Sequence, residues 1–367
     1  MSWEKNGIAE DMYKKEITKA YALDLLCAGH VYMGSYKGYE NVLDAAKDEE
    51  IRKTVMRALE EIEEALHLEC HIPKEKIHGW NENIYEDISQ HLSKWKEADP
   101  ERIGLIKMLQ KENALAGSVV LCKNNGIWPY YCSRILAYAL HYENSCDKDT
   151  KAVREYLEYY GVKEAARKFC GLEKEPELLQ LIAEQYGSIK DGRTEDGKKA
   201  EVIKRAFKLG FNNEKVYRGC AQCTLLTMFE IFGRETGVLF QSASALSAGM
   251  AQTGDGACGG YTGGIMYMGS VIGRRLDRMK IDKDRPAQLE SYRMARELRD
   301  KFIETYGSVI CADVHREIFG KPYCLRTQVV KDAFEEAGAH TIKCTTVIGT
   351  ASAWVAGILY DSGYYEG

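Results

Sequence analysis

The sequence predicts an all-α protein made of two helical domains. Apolar residues recur at spacings of three and four along most of the 367 residues, strand-like alternation is scarce, and one polar segment interrupts the helical pattern near the middle. With 45% hydrophobic residues and only six prolines, the chain can bury a core in each half.

The first half is predicted to consist of amphipathic helices. One stripe of apolar side chains, separated by charged residues, predicts a helix over 51–69. The stripe consists of Ile51, Val55, Leu59, Ile62 and Leu66. Similar patterns predict helices at 14–30, 86–96, 133–141, 152–160 and 177–186. Asp99-Pro100 and Pro176 are typical of helix starts, because proline suits the first helical turn.

The segment 187–199 (GSIKDGRTEDGKK) separates the two predicted domains. It is polar, contains glycine and lacks the apolar spacing that could hold it in a core. We therefore expect one domain at 1–190 and a second at 200–367.

Charge and hydropathy exclude some classes of partner and location. The 50 Lys and Arg residues against 55 Asp and Glu leave a net charge of -5, which argues against nucleic acid or an anionic membrane as the main partner. The chain lacks an uninterrupted apolar run of 18 residues, and its first thirty residues lack the apolar core of a secretory signal. We expect a cytoplasmic protein without a membrane-spanning helix.

Four of the twelve cysteines share a position relative to predicted helices. Cys220, Cys258, Cys311 and Cys344 each stand at or just before the start of an apolar helical segment. A helix N-terminus lowers the pKa of a thiol and offers free N–H groups, so such cysteines are expected to be thiolates.

The glycine-rich stretch 254–264 (GDGACGGYTGG) surrounds one of these cysteines. Glycine lets a backbone approach another group closely, so the amides of Gly256 and Gly259 are expected to donate hydrogen bonds to sulfur.

Four thiolates suit an iron–sulfur cluster or a tetrahedral zinc ion. The four cysteines lie more than thirty residues apart each time, unlike the paired CxxC motifs of a zinc ribbon, and this favours a cluster. A zinc site, a redox dithiol at Cys220 and Cys223, and plain burial remain as alternatives.

The second half also resembles a known family. The runs GCAQCTL, TGDGACGGYTGG, YGSVICADVHREIFGKPYCLR and KCTTVIGTASAWVAGIL, within about 200–365, resemble the redox-active family named after its C_GCAxxG_C_C motif. Its cysteines fall on Cys220, Cys258, Cys311 and Cys344, whereas Gly260 replaces the usual alanine, and Cys223 and Cys324 lie outside the motif.

This resemblance implies a helical redox module. The related module of split-Soret cytochromes is associated with an iron–sulfur cluster of the two-iron type, so a 2Fe-2S cluster is favoured over 4Fe-4S or zinc. The sequence has no CxxCH, the attachment motif of c-type haem.

The first half resembles the C-terminal helical domain of the mannitol dehydrogenase family, on GHVYMGSYKGYENVLDAAKDEEIRKTVMRALEE and the segments that follow. That family uses a Lys-x4-Asn-x2-His motif, in which lysine is the general base. Here Ala22 stands at the lysine position, Cys27 at the asparagine position and His30 at the histidine position. The family's Rossmann domain is not part of this sequence, so we expect no mannitol dehydrogenase activity.

These features favour an iron–sulfur redox protein that relays electrons to a partner protein or reduces a small substrate near the cluster. The alternatives are a sugar-phosphate-binding scaffold or sensor with structural or zinc-binding cysteines, and a dithiol oxidoreductase. Whether the protein is an enzyme stays open, and we expect a homo-oligomer.

Overall fold

Helices form both halves of the chain in the computed structural model, which describes residues 7–79, 104–144 and 148–365. Within these ranges there is no β-sheet, only an isolated antiparallel bridge between Ala257 and Ile310. The all-α prediction is confirmed. The predicted helix at 86–96 and the predicted start at Asp99-Pro100 lie outside the described residues.

The chain divides into two compact units, Met1–Thr194 and Glu195–Gly367. The helices of the first unit are α1 (Gly7–Tyr36), α2 (Val42–Ala45), α3 (Glu49–Cys70), α4 (Leu105–Leu109), α5 (Ala114–Asn124), α6 (Tyr130–Leu140), α7 (Lys148–Tyr160), α8 (Val162–Cys170) and α9 (Pro176–Lys190), with a further helical segment at 74–79. Helices α1, α3 and α6 pack against one another, and α9 packs against α6.

The two ends of α3 and the face that it buries follow from its sequence. The side chain of Asp48 accepts the amide of Ile51 at the start of α3, and His71 ends the helix in the left-handed conformation. Its predicted apolar stripe is buried. On the same helix, the buried carboxylate of Glu61 accepts the amides of Tyr131 and Cys132 at 3.1 and 3.0 Å, which caps the N-terminus of α6.

The polar segment between the units is shorter than its composition suggests. Helix α9 continues to Lys190 and buries Ile189, and the next helix begins at Gly197. Asp196 explains this early start, because its side chain accepts the amides of Lys198 and Lys199. A polar residue that looked like linker sequence is therefore a helix cap.

The second unit contains α10 (Gly197–Tyr217), α11 (Cys220–Phe232), α12 (Gly237–Ser242), α13 (Gly259–Ile272), α14 (Leu276–Asp282), α15 (Arg285–Tyr306), α16 (Cys311–Phe319), α17 (Gln328–Glu336), a π-helical turn (Ala339–Lys343) and α18 (Cys344–Asp361). Helix α18 is central and packs against α10, α11, α13 and α15. Glycines allow the close approach: a Cβ on Gly210 would lie 2.6 Å from the Oγ of Ser352.

One long apolar helix bears on the expectation that the chain has no membrane-spanning helix. Among the described residues one helix, Ala339–Asp361, has the length and the mean hydropathy (1.4) of a membrane span. In the structure, 83% of its most apolar window is buried inside the protein. The core helix of a soluble protein has the same properties, so this helix is weak evidence for a membrane.

Candidate functional site

Four cysteines from distant parts of the sequence line one cavity of about 440 Å³ in the second unit. They are Cys220, Cys258, Cys311 and Cys344, the four that the sequence analysis singled out. All described cysteines are free thiols, so no disulfide bridges the four. The cavity is therefore lined by four thiols.

Helix starts bring three of these cysteines to the cavity. Cys220 is the first residue of α11, Cys258 is the N-cap of α13, and Cys311 is the first residue of α16. The prediction fails in part for Cys344, because α18 follows the π-helical turn without a break and its start has no free helix end.

Backbone hydrogen bonds hold the loops of Cys258 and Cys311 together. The amide of Cys258 donates to the carbonyl of Val309 at 2.8 Å, and the amide of Cys311 donates to the carbonyl of Gly256 at 2.9 Å. Two cysteines that are 53 positions apart in sequence are thus fixed beside each other by main-chain contacts.

Several amides donate to the sulfur atoms. The sulfur of Cys220 accepts the amide of Ala248 at 3.3 Å and also that of Gly259. The sulfur of Cys258 accepts the amides of Gly260 and Tyr261. Such hydrogen bonds stabilise negative charge on sulfur.

The two glycines predicted to donate to sulfur have different surroundings. A Cβ on Gly259 would lie 2.2 Å from the sulfur of Cys220, so glycine is needed for this close approach. The amide of Gly256 instead donates to the carbonyl of Gly249 at 3.0 Å, and a Cβ on Gly256 would lie 2.7 Å from the Cγ of Met250. Gly256 thus lets two loop segments pack closely.

The expectation that the four cysteine thiols have lowered pKa values is wrong. Burial raises the pKa of all four, and it raises that of Cys258 to about 11 although the amides of Gly260 and Tyr261 oppose the shift. The loss of solvation outweighs the helix ends and amides. A bound cation would supply the charge that stabilises the thiolates, and its binding would release their protons.

His315 lies beside two of the cysteines and was missed by the sequence analysis. Its Nε2 is 3.5 Å from the sulfur of Cys311 and 3.9 Å from that of Cys344, and its buried Nδ1 has no hydrogen-bond partner. Burial lowers its pKa to about 4, so the ring is neutral near pH 7. The spacing of four residues from Cys311, on one helix face, was the available signal.

A buried carboxyl group also faces the cavity. Glu214, on α10, is 2% exposed, and its Oε2 makes no hydrogen bond. Burial raises its pKa to about 7. Its sequence context, FNNEKVYR, is polar and typical of an exposed helix end, so only the structure reveals this group.

The remaining cysteines of the second unit are not among the residues that line the cavity. The thiol of Cys223 donates to the carbonyl of Arg218 at 3.1 Å, and Cys324 is exposed. The thiol proton of Cys223 is engaged away from Cys220, which argues against a working dithiol pair.

The donor set fits a sulfur-bound inorganic group. Four cysteine sulfurs are the ligands of iron–sulfur clusters, and the Gly259 backbone leaves no room for a Cβ next to one of them. Across the described ranges, no three His, Cys, Asp or Glu side chains converge as a single metal ion would require.

In the first unit, the three positions that correspond to the mannitol dehydrogenase motif lie on α1. Ala22 and Cys27 are fully buried, and His30 is buried with its Nδ1 2.8 Å from the carbonyl of Leu26. The Nε2 of His30 has no partner, and the residue borders a cleft of about 270 Å³ that is also lined by Tyr39, Asn41 and Tyr142. Alanine at position 22 carries no basic group.

Comparison with known proteins finds different relatives for the two halves of the chain. Residues 219–358 match the model of a family described as "Putative redox-active protein (C_GCAxxG_C_C)". The second unit carries this family's cysteine motif. The match spans less than half of the chain and confirms the resemblance read from the sequence.

The first half is similar to mannitol-1-phosphate 5-dehydrogenases. The enzyme of Caldanaerobacter subterraneus subsp. tengcongensis is 29% identical over 174 residues, which cover 47% of this chain and 44% of that protein. The enzyme of Exiguobacterium sp. is 28% identical over 166 residues, which cover 45% of this chain and 43% of that protein. The chain thus matches less than half the length of these relatives.

Proposed function

We propose that the second unit holds a two-iron iron–sulfur cluster on Cys220, Cys258, Cys311 and Cys344, and that the protein is a one-electron redox protein. The observation that carries this proposal is the shared cavity, which is lined by the motif cysteines from four chain segments. When bound, such a cluster accepts and returns one electron at a time.

The protein's own residues would hold the cluster and set its potential. The amides of Ala248 and Gly259 at Cys220, and those of Gly260 and Tyr261 at Cys258, donate to ligand sulfurs and favour the reduced form. The aromatic rings of Phe319, Tyr323 and Phe334 pack against His315, and Phe334 also lines the cavity. The electron partner is a redox protein, or a small substrate that enters the cavity, in the cytoplasm.

A reductive titration tests this proposal. The full chain, purified without oxygen, should be coloured, and its visible absorbance should bleach on addition of one electron equivalent per chain from dithionite. A colourless protein that contains zinc would favour a structural metal site instead.

The cleft at His30 supports a second candidate function for the first unit, namely binding of a polyol phosphate without oxidation. His30 borders the cleft and has a buried Nε2 without a hydrogen-bond partner, while Ala22 supplies no base. Mannitol 1-phosphate should raise the melting temperature of the wild type, and His30→Gln should reduce that shift. No oxidation should occur with NAD. Equal shifts in both proteins would contradict the assignment of His30.

A further inference from the structure

Glu214 is a buried carboxyl group for which the proposed redox chemistry has so far assigned no role. It lines the same cavity as the four cysteines, and its charge raises the pKa of the Cys220 thiol. Its Oε2 is buried without a hydrogen bond. The thiol of the neighbouring Cys223 is within hydrogen-bonding reach of this carboxyl group and of the carbonyl of Arg218, which lies 3.1 Å from its sulfur. A buried carboxylate with an unused oxygen is a site that can accept a proton.

A chain of ionisable groups joins this carboxyl group to solvent. The Nε2 of His340 is 3.6 Å from the Oε1 of Glu214. The Nδ1 of the same ring is 2.7 Å from the Oε1 of Glu335, whose side chain is 36% exposed. An imidazole between two carboxylates can take a proton on one nitrogen and release another from the opposite nitrogen.

We propose that Glu214 takes up one proton, delivered through His340, when the cysteine-lined centre accepts one electron. The inference rests on the proposed iron–sulfur function. The electron comes from a one-electron donor protein, or from dithionite in the experiment, and the proton comes from solvent by way of Glu335 and His340. The centre gains one negative charge and the carboxylate loses one, so the net charge of the buried site is unchanged.

Electrostatics favours this coupling. A negative charge added in a buried site interacts strongly with a nearby carboxylate, because little water screens the pair. The charged or titratable groups that face Glu214 are Cys220, Cys223, Cys258, Cys344, His340, Glu335 and Arg218. Arg218 is the positive group among them, and it lies at the exposed end, 3.1 Å from Glu335. Protonation of Glu214 would thus offset the charge of the added electron.

The midpoint potential of the loaded protein tests the proposal between pH 6 and pH 10. Burial raises the pKa of Glu214 to about 7, so the potential should be flat below that pH and should fall above it. Above that pH, the midpoint potential should fall by about 59 mV per pH unit, because one proton is taken up with each electron. Glu214→Gln should abolish the slope, whereas the exposed neighbour of the relay, changed as Glu336→Gln, should keep it.

The variant His340→Gln tests the route of the proton separately from the group that accepts it. This variant should keep the equilibrium slope but slow reduction above pH 7, because the proton then reaches Glu214 without the imidazole. An infrared difference spectrum of wild type, reduced minus oxidised, should show a new protonated carboxyl band that shifts in D₂O. Because this measurement uses the wild type, it tests the proposal even if Glu214→Gln folds poorly.

The outcomes distinguish the two proposals. A wild type that binds no iron overturns the iron–sulfur function together with this inference. A loaded wild type whose potential is independent of pH overturns only the proton coupling. A slope that persists unchanged in loaded Glu214→Gln shows that another group takes up the proton.

Discussion

Cys258→Ser is expected to abolish binding of the proposed cluster. Cys258 is buried at the N-cap of α13, its sulfur accepts two amides, and its loop is tied to that of Cys311. Loss of an outer-shell partner alone weakens metal binding by roughly 10–100-fold, so loss of a ligand should reduce iron content by about tenfold or more. Iron analysis and visible absorbance of the anaerobically purified variant measure the effect.

Two other cysteines provide matched controls for this substitution. Cys324→Ser changes an exposed thiol outside the cavity and should leave the iron content unchanged. Cys223→Ser should also keep the cofactor, whereas a dithiol mechanism would lose all activity with it. Full iron content in Cys258→Ser would show that the ligand set is wrong.

Gly259→Ala is expected to displace a ligand without removing any sulfur. The new Cβ would lie 2.2 Å from the sulfur of Cys220 and 2.6 Å from the amide nitrogen of Ala221, so the start of α11 must shift. Overpacking of this kind costs about 1–3 kcal/mol of folding free energy. Iron content should fall, and the midpoint of urea unfolding should move to a lower concentration.

Gly269→Ala is the control on the same helix. No atom lies within 4 Å of a Cβ at this position, and alanine is the better helix former by up to about 1 kcal/mol. It should retain iron and unfold at an equal or higher urea concentration. Equal behaviour of the two variants would contradict the close approach at Gly259.

Local sequence patterns predicted the helices well. The apolar stripe from Ile51 to Leu66 is buried on α3, and Pro176 opens α9, as expected from helix periodicity and proline geometry. The length of the linker was overestimated, because Asp196 resembles a loop residue in the sequence but caps the next helix in the structure. Composition alone does not distinguish these two roles.

The sequence singled out the four cysteines that line the cavity, because each stands at or just before an apolar helical segment, but it did not predict their electrostatics. Whether a thiol at a helix start has a high or low pKa depends on how much solvent it loses, which is a property of the packed unit. Burial dominates at Cys311, for example. Glu214 and His315 come from segments without a motif, and only the packing of α10 and α16 brings them to the cavity.

The content of iron and acid-labile sulfide in the anaerobically purified full chain tests the central claim most directly. The account predicts two iron atoms and two sulfide ions per chain in wild type, as in the 2Fe-2S type, and their loss in Cys258→Ser. A folded wild-type protein that contains neither iron nor sulfide, even after anaerobic reconstitution with both, would contradict it.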